Sequence, residues 1–443
     1  MPLNRCKKHP CCQHITEIVV DLKEGEELKQ PACSDCDWKG LRERMRQSCY
    51  LDGEKRLSPR DRCRNQYRKD GLVLFLGAGV STGSGIPNWP SLINGLLKKG
   101  KMHVHSGRSK TCQKSASQIL TEDARLPLIA QFEMVANDDS KNGEASDSVR
   151  GRAFAQRIYD SLYGGKQFSK VKKWLQDIPP NHSQKETYQH WDDILAEFRK
   201  NKTLEAVAEL LLCDTQDTNL RANPNIRAVI TVNADNLLQM YVLARSKGTA
   251  VGEPRILNTV DRPSAGEHPK MIPVFHLHGY LDVRYRPKNE LIAEDGNADK
   301  PVPTLVFRES EYFESIADSR GFANYTAHSF LQRYNLLFIG TSLDDINIRR
   351  WLHNSYQERK SDRGKYLREI YNGSYPDADI EAKYASIRHF WLRREKDLPN
   401  PRKEMKKSME RLMQQFGVEI IWYRAHEEVA AYLHQLKADS TCP

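Results

Sequence analysis

The sequence predicts an α/β fold: a doubly wound, Rossmann-like parallel sheet with a helical insertion and a small N-terminal Cys/His module. Short apolar runs that suit buried strands alternate with stretches of helical spacing, which is typical of a parallel sheet covered by helices. Residues 95–222 lack strand-like runs and predict the helical insertion, with Thr203 capping one of its helices. The predicted strands are 72–75, 228–230, 272–275, 305–307, 336–339, 390–392 and 418–423.

A glycine-rich turn follows the first predicted strand. It reads Gly77-Ala78-Gly79-Val80-Ser81, and Gly85-Ile86-Pro87-Asn88-Trp89 comes shortly after it. Glycines between a strand and a helix leave bare backbone N–H groups where a phosphate can approach. One such turn is a weak signal, because glycines close many strands. Three later loops strengthen it.

Each of these loops lies just beyond the end of a predicted strand. They are Thr231–Leu238, His276–Gly279 and Gly340–Asp345. In an open parallel sheet the carboxyl ends of the strands line one crevice, and ligands bind there. We therefore expect the glycine turn and the three loops to surround a single ligand.

Together the four loops resemble the sirtuin nicotinamide-nucleotide fold. The sirtuin pattern reads Gly-Ala-Gly-x-Ser with Gly-Ile-Pro, then Gln-Asn-x-Asp, then His-Gly, then Gly-Thr-Ser, and Val232 stands here in place of the Gln. Residues 279–340 contain no cysteine, whereas sirtuin deacylases carry a small zinc module there. With the long insertion between the first two motifs, residues 70–437 look like the sirtuin-like domains of bacterial antiviral systems.

The resemblance implies a NAD site. Asn233 would bind the ribose hydroxyls or a water near C1′, Asp235 would contact the nicotinamide carboxamide, and His278 would be the catalytic base. The other NAD-binding residues that it implies are Gly77, Ala78, Gly79, Ser81, Pro87, Trp89, Gly340, Thr341 and Ser342. From the residues alone, Asn233 also suits a turn, and Asp235 and Asp344 also suit helix N-caps.

The function implied by the resemblance is that of a NAD glycohydrolase, which releases nicotinamide and ADP-ribose, as a triggered effector of antiviral, abortive-infection defence. We expect a regulated homo-oligomer, because an unregulated NADase would kill its own cell. An ATPase, an Argonaute-like protein or nucleic acid is the expected activating partner. The alternatives are NAD-dependent ADP-ribosylation or deacylation of a protein, and a non-catalytic sensor of NAD or ADP-ribose.

Residues 1–50 predict a separate zinc-ribbon-like module. Two close pairs, Cys6 with His9 and Cys33 with Cys36, flank a hairpin-like segment. Zn²⁺ takes four tetrahedral nitrogen or sulfur ligands, and each pair supplies two. Other ligands for the first pair are Cys11, Cys12 and His14, and reduced thiols without zinc are the alternative.

Size and composition set the remaining expectations. A chain of 443 residues predicts two or three units, here the module and a NAD-binding domain over residues 51–443. With 39% hydrophobic and 28% charged residues, the chain has a globular composition and no run long enough to span a bilayer, so we expect a cytoplasmic protein that makes no membrane contact. The net charge of +10 is concentrated in basic patches, which suit either an ordinary solvated face or contact with an acidic partner or nucleic acid.

Overall fold

The computed structural model describes most of the predicted NAD-binding domain. The chain divides into two units, Met1–Leu57 and Ser58–Pro443. The described residues are 57–99, 127–138, 147–179, 188–214, 220–247, 256–261, 271–284, 305–371, 389–398 and 403–439. The proposed zinc ligands Cys6, His9, Cys33 and Cys36 lie outside these residues, so the N-terminal module stays a prediction.

A seven-stranded parallel sheet forms the centre of the second unit, as the sequence predicted. Its strand order is β5-β6-β4-β1-β7-β8-β9, and every neighbouring pair is parallel. The strands are β1 (Leu72–Leu76), β4 (Ile226–Thr231), β5 (Leu257–Val260), β6 (Ile272–His276), β7 (Leu336–Ile339), β8 (His389–Arg394) and β9 (Val418–Tyr423). After β1 the chain builds one side of the sheet and then crosses to β7 on the other side. Such a reversal next to β1 opens a crevice at the carboxyl ends of the strands.

Both faces of the sheet are buried. Alternate residues of a strand point to opposite faces, and each face of the sheet packs in its own apolar core. On β1, Leu74 and Leu76 join one apolar core, while Val73 and Phe75 join the other. Nearly continuous apolar strands of this kind require helices on both faces. The sheet is therefore doubly wound.

The helices of the described residues cover these two faces. They are α1 (Pro59–Lys69), α2 (Trp89–Lys99), α3 (Leu128–Asp138), α4 (Asp147–Leu162), α5 (Ser169–Gln176), α6 (Trp191–Phe198), α7 (Lys202–Leu210), α8 (Leu237–Arg245), α9 (Glu309–Ala317), α10 (Phe322–Arg333), α11 (Ile346–Tyr371), α12 (Lys403–Gln414) and α13 (His426–Ala438). Within the described ranges, no helix combines the length and the hydropathy that a bilayer span requires.

Three local predictions were wrong or incomplete. Residues 305–307 were expected as a strand but are not one; Val306 N–H donates to the carbonyl of His278, in the loop after β6 (3.0 Å). Three of the four residues of the edge strand β5 are only partly buried, and its weak apolar pattern gave no signal. The insertion is mainly helical but ends in a small antiparallel hairpin, β2 (Leu212–Asp214) with β3 (Leu220–Ala222).

Candidate functional site

The four loops predicted from the sequence begin in one row across the sheet. Leu76 on β1 pairs with Thr231 on β4 and with Ile339 on β7, and Thr231 pairs with His276 on β6. The loops after these strands therefore start at the same level on one edge. This confirms that distant sequence segments meet there.

The glycine loops after β1 and β7 pack directly on each other. Gly79 N–H donates to the Gly340 carbonyl at 2.8 Å. A Cβ on Gly77 would lie 2.6 Å from that carbonyl oxygen, and a Cβ on Gly340 would lie 2.6 Å from the backbone nitrogen of Val80. Gly340 also has φ +68°, a left-handed conformation that favours glycine. Glycine is therefore needed here for close contact between two loops.

The glycine turn does not present the bare donors that we expected. Besides Gly79, Gly77 donates to Ile339 (2.9 Å), Val80 to Gly77 (3.1 Å) and Ser81 to Ala78 (3.0 Å). Four of the five N–H groups from Gly77 to Ser81 are thus bonded within the protein. Two of these bonds, those of Val80 and Ser81, belong to the 3₁₀ turn that starts at Ala78, and the other two reach β7 and the loop after it.

Asn201, at the start of α7, fixes this turn from the insertion side. Its Nδ2 donates to the Val80 carbonyl (2.7 Å) and to Ser84 Oγ (3.0 Å). Its Oδ1 accepts from Leu204 N–H, so Asn201 rather than Thr203 caps α7. No local pattern indicates that this cap also bonds to a turn more than a hundred residues earlier in the chain.

Asn233 lies in the loop after β4 with half of its amide in use. Its Nδ2 donates to the Gly77 carbonyl at 3.1 Å, and its backbone N–H donates to Thr231 Oγ1. Its Oδ1 is buried and has no hydrogen-bond partner among the described residues. Asn233 is therefore oriented, with one acceptor left for another group.

Asp235 connects two parts of the site. The Ser81 hydroxyl donates to its Oδ1 at 2.9 Å, and the same oxygen accepts Leu237 N–H at 3.1 Å, at the start of α8. Burial raises the pKa of this carboxyl, and the two hydrogen bonds partly oppose that rise. Asp235 is not the N-cap of α8, which is Asn236, but it accepts the first N–H of the helix from the preceding position, and its contact with nicotinamide stays a prediction.

His278 is enclosed by aromatic rings just beyond β6. It is 1% exposed, and neither ring nitrogen has a hydrogen-bond partner among the described residues. Its ring centre lies 5.3 Å from that of Tyr312, 6.4 Å from Trp89 and 6.5 Å from Trp351. Burial lowers its pKa, which the nearby charge of Asp345 partly offsets. Because a buried, unpartnered imidazole is costly, this residue calls for an explanation beyond packing.

His276, two residues earlier, is fully satisfied by comparison. Its Nδ1 faces the Asn233 carbonyl at 3.2 Å and must carry the proton, since a carbonyl only accepts. Its Nε2 then accepts from Gln239 at 2.7 Å. Burial lowers the pKa of His276 to about 4. It supports the Asn233 loop as a neutral group.

A cavity of about 800 Å³ opens above the carboxyl ends of five adjacent strands. Its wall runs from Val232 after β4, past the glycine loops, to Arg394 on β8 and Tyr423 on β9. Four strand spacings of about 4.8 Å make this edge roughly 19 Å long. The cavity is thus elongated, a shape that suits an extended dinucleotide.

The predicted site residues divide between the cavity wall and the layer behind it. Those that line the cavity are Gly77, Ala78, Gly79, Trp89, Gly340, Thr341 and Ser342. Ser81, Pro87, Asn233, Asp235 and His278 do not line it. His278 contacts two wall residues, Trp89 and Tyr312, so the imidazole lies one side chain behind the cavity surface.

Sequence reasoning missed several polar residues of the wall, and four of them bear on the site. The Tyr312 hydroxyl donates to Asp345 Oδ2 at 2.7 Å, and Asp345 Oδ1 accepts the N–H groups of Asn347 and Ile348 at the start of α11. Asp345 therefore has the capping role that was considered for Asp344. The other two are Arg393 and Arg394, whose only signal was their place at the end of an apolar run.

Comparison with known families now identifies the domain. Residues 227–409 match the family model of the SIR2-like domain. The chain contains a sirtuin-like domain. The match begins in β4 and ends in α12, so it includes the loops of Asn233, His278 and Gly340 but not the glycine turn. Comparison with curated proteins gives no match.

A sirtuin-like domain indicates NAD-related activity. The glycine turn joins this domain through the pairing of β1 with β4 and β7, both of which lie inside the matched segment. Among the described residues, no group of three or more His, Cys, Asp or Glu side chains is placed to bind a metal ion. The match to the SIR2-like domain is what points to NAD as the ligand.

Proposed function

We propose that this protein is a NAD glycohydrolase, which hydrolyses NAD to nicotinamide and ADP-ribose. The observation that carries the proposal is the pair formed by Asn233 and His278. They follow two adjacent, in-register strands, and each holds buried polar atoms without a partner among the described residues. Unspent hydrogen-bonding capacity in a water-poor place is typical of groups that act on a substrate.

The proposed reaction breaks the bond between nicotinamide and C1′ of the ribose. Nicotinamide leaves as a neutral pyridine and takes the bonding electron pair, which leaves an oxocarbenium-like ribose. Water then forms the new bond at C1′ and gives up one proton. The balance is NAD⁺ plus water to nicotinamide, ADP-ribose and a proton.

Three residues have roles in this reaction. His278 accepts the proton of the attacking water, since burial lowers its pKa and keeps it neutral at pH 7. Asn233 Oδ1 accepts a hydrogen bond from the same water, while its Nδ2 remains on Gly77. Asp235 contacts the nicotinamide carboxamide, and its bonds to Ser81 and Leu237 hold it beside the turn.

In this proposal the substrate reaches His278 only after Tyr312 and Trp89 move aside, because both rings line the cavity and contact the imidazole, which does not line it. We infer that the closed wall represents a resting enzyme and that a trigger opens it. This supports a role as a triggered effector of antiviral defence. Assembly into a homo-oligomer, or contact with an ATPase, an Argonaute-like protein or nucleic acid, is the proposed trigger.

A sensor of NAD or ADP-ribose is the second candidate. The observation that favours it is that Asn233 and His278 do not line the cavity. A protein that only binds the dinucleotide needs the wall and not the imidazole. The two unpartnered groups favour the enzyme over the sensor, because binding alone gives no reason to bury them at a cost.

The test follows nicotinamide and ADP-ribose after the full chain is mixed with NAD, alone, with nucleic acid, and with extract from phage-infected cells. Equal amounts of the two free products support hydrolysis. Nicotinamide with ADP-ribose attached to protein supports transfer. Binding of NAD without nicotinamide release under all three conditions overturns the enzyme and supports the sensor.

A further inference from the structure

The glycine turn has few free groups with which to bind the negative charge of a dinucleotide. The pyrophosphate of NAD carries two negative charges, and four N–H groups of the turn are already bonded within the protein. The Ser81 hydroxyl is also committed, to Asp235. Charge-assisted hydrogen bonds to phosphate are about twice as strong as neutral ones, so cations on the wall matter most.

Two arginines line the cavity within the described residues, at the end of β8. Arg394 spends its charge locally: its Nε donates to Asp397 Oδ1 at 2.8 Å, and its Nη1 lies 3.1 Å from His426 Nε2. Arg393 has no carboxylate within ion-pair distance among the described residues, and its buried Nε has no hydrogen-bond partner there. Of the two arginines, Arg393 is therefore the one whose charge has no carboxylate partner among the described residues.

The structure also holds Arg393 in a defined position. Phe338 on β7 pairs with Trp391 on β8, which places Arg393 level with Gly340 and one strand away. Its guanidinium lies 4.9 Å from the centre of the Trp391 ring, a cation–π contact. The Trp391 indole N–H donates in turn to the Thr341 carbonyl at 2.9 Å. The loop after β7 thus positions the arginine through a tryptophan.

We propose that Arg393, assisted by Arg394, binds the phosphates of the dinucleotide, while the glycine turn supplies space rather than charge. Arg393 lies two strand spacings from β1, about 10 Å, and it lines the same cavity as the glycine loops. The ligand class follows from the proposed function, since an ADP-containing nucleotide is the part that NAD and ADP-ribose share. The inference concerns binding and does not require turnover.

The experiment measures binding of ADP-ribose, ADP and adenosine to the full chain by calorimetry, for the wild type and for Arg393→Ala, Arg393→Lys and Arg394→Ala. Arg393→Ala is expected to weaken ADP-ribose and ADP about 10- to 100-fold, as for a lost hydrogen bond to a charged group. Adenosine binding should stay within about twofold. Lysine should restore part of the loss, because it keeps the charge but not the planar stacking.

Arg424→Ala is the matched control. Arg424 also follows the end of a strand, β9, but it is 80% exposed beside Glu395 and does not line the cavity. It should bind all three ligands like the wild type. Thermal melting of each variant separates a binding defect from misfolding.

Several results overturn the inference: wild-type affinity of Arg393→Ala for ADP-ribose, an equal loss for adenosine and ADP, or no binding of ADP-ribose to the wild type. Failure of the proposed function looks different. In that case ADP-ribose binds and depends on Arg393, but no trigger releases nicotinamide. If Arg393→Ala hydrolyses NAD with an unchanged KM, the proposed hydrolase function holds, but Arg393 does not bind the phosphates.

Discussion

The loops after β4 and β6 differ from the loops after β1 and β7, although all four begin in one row of the sheet. The β1 and β7 loops are glycine backbones in direct contact, and most N–H groups of the β1 turn are bonded inside the protein. The β4 and β6 loops instead carry Asn233 Oδ1 and the two ring nitrogens of His278, which have no hydrogen-bond partner among the described residues.

This difference separates shape from chemistry. Backbone whose N–H groups are already bonded within the protein sets the shape of the cavity and adds little reactivity. Buried side chains whose polar atoms have no partner form new hydrogen bonds when a substrate or a water binds. We therefore expect substitutions in the two pairs of loops to fail in different ways, through stability in one and through turnover in the other.

The largest expected effect is loss of turnover at the β6 loop. His278→Ala should lower the rate of nicotinamide release from the triggered protein by about 10²- to 10⁴-fold, the usual contribution of a general base. Unfolding should stay cooperative, because no hydrogen bond of the ring is lost. Asn233→Ala should also abolish turnover, but at a cost in stability, since it breaks the bond to Gly77.

His328→Ala is the control for this prediction. His328 lies on α10, and its exposed ring pairs with Glu358 on the surface. It should keep the wild-type rate. Full activity in both His278→Ala and Asn233→Ala would show that the chemistry occurs elsewhere in the molecule.

Substitution in the β7 loop should act on stability. A Cβ on Gly340 meets the backbone nitrogen of Val80 at 2.6 Å and a left-handed φ, so Gly340→Ala should lower the free energy of unfolding by about 2–3 kcal/mol. Gly95→Ala in α2 is the contrast, since its Cβ meets nothing within 4 Å. It should raise stability by about 0.5–1 kcal/mol. Urea unfolding measures both, and equal effects would contradict the packing argument.

Acid should destabilise the β6 strand and its loop through two buried histidines. The folded-state pKa of His276 is about 4, below its ordinary value of 6.5, so the unfolded chain binds the proton first as pH falls. Stability is present above pH 6.5 and is lost below it, by about 2 kcal/mol at pH 5 from His276 alone. His278 adds a loss in the same direction.

Denaturant unfolding at pH 7.5 and pH 5 measures this loss. His276→Gln cannot titrate and should show a smaller difference between the two pH values. An unchanged difference would place the acid sensitivity in other groups.

The smallest expected effect concerns access to His278. Tyr312→Phe removes the bond to Asp345 and keeps the ring, which should raise the untriggered rate of nicotinamide release by less than about tenfold. Tyr325→Phe on α10 removes a hydroxyl from a residue that is 70% exposed, and it should change nothing. A lower basal rate in Tyr312→Phe would mean that the hydroxyl serves the reaction and not the closed wall.

The sequence by itself determined the parallel sheet and the four loops. Even an apolar run as short as Leu336–Ile339 forms a strand. Both faces of the sheet are buried, and a continuous apolar run is the pattern that such a strand requires. The loops were recognisable because a turn after a strand needs particular residues at adjacent positions. These are local properties of the chain.

Only the tertiary structure decided how these loops share their hydrogen bonds. The N–H groups of the glycine turn are paired, Asn201 crosses from the insertion, and Arg393 rests on Trp391. It also placed His278 behind Tyr312 rather than on the cavity surface. The physical reason is that pairing and burial depend on residues far apart in the chain, and a local pattern does not specify which of them meet.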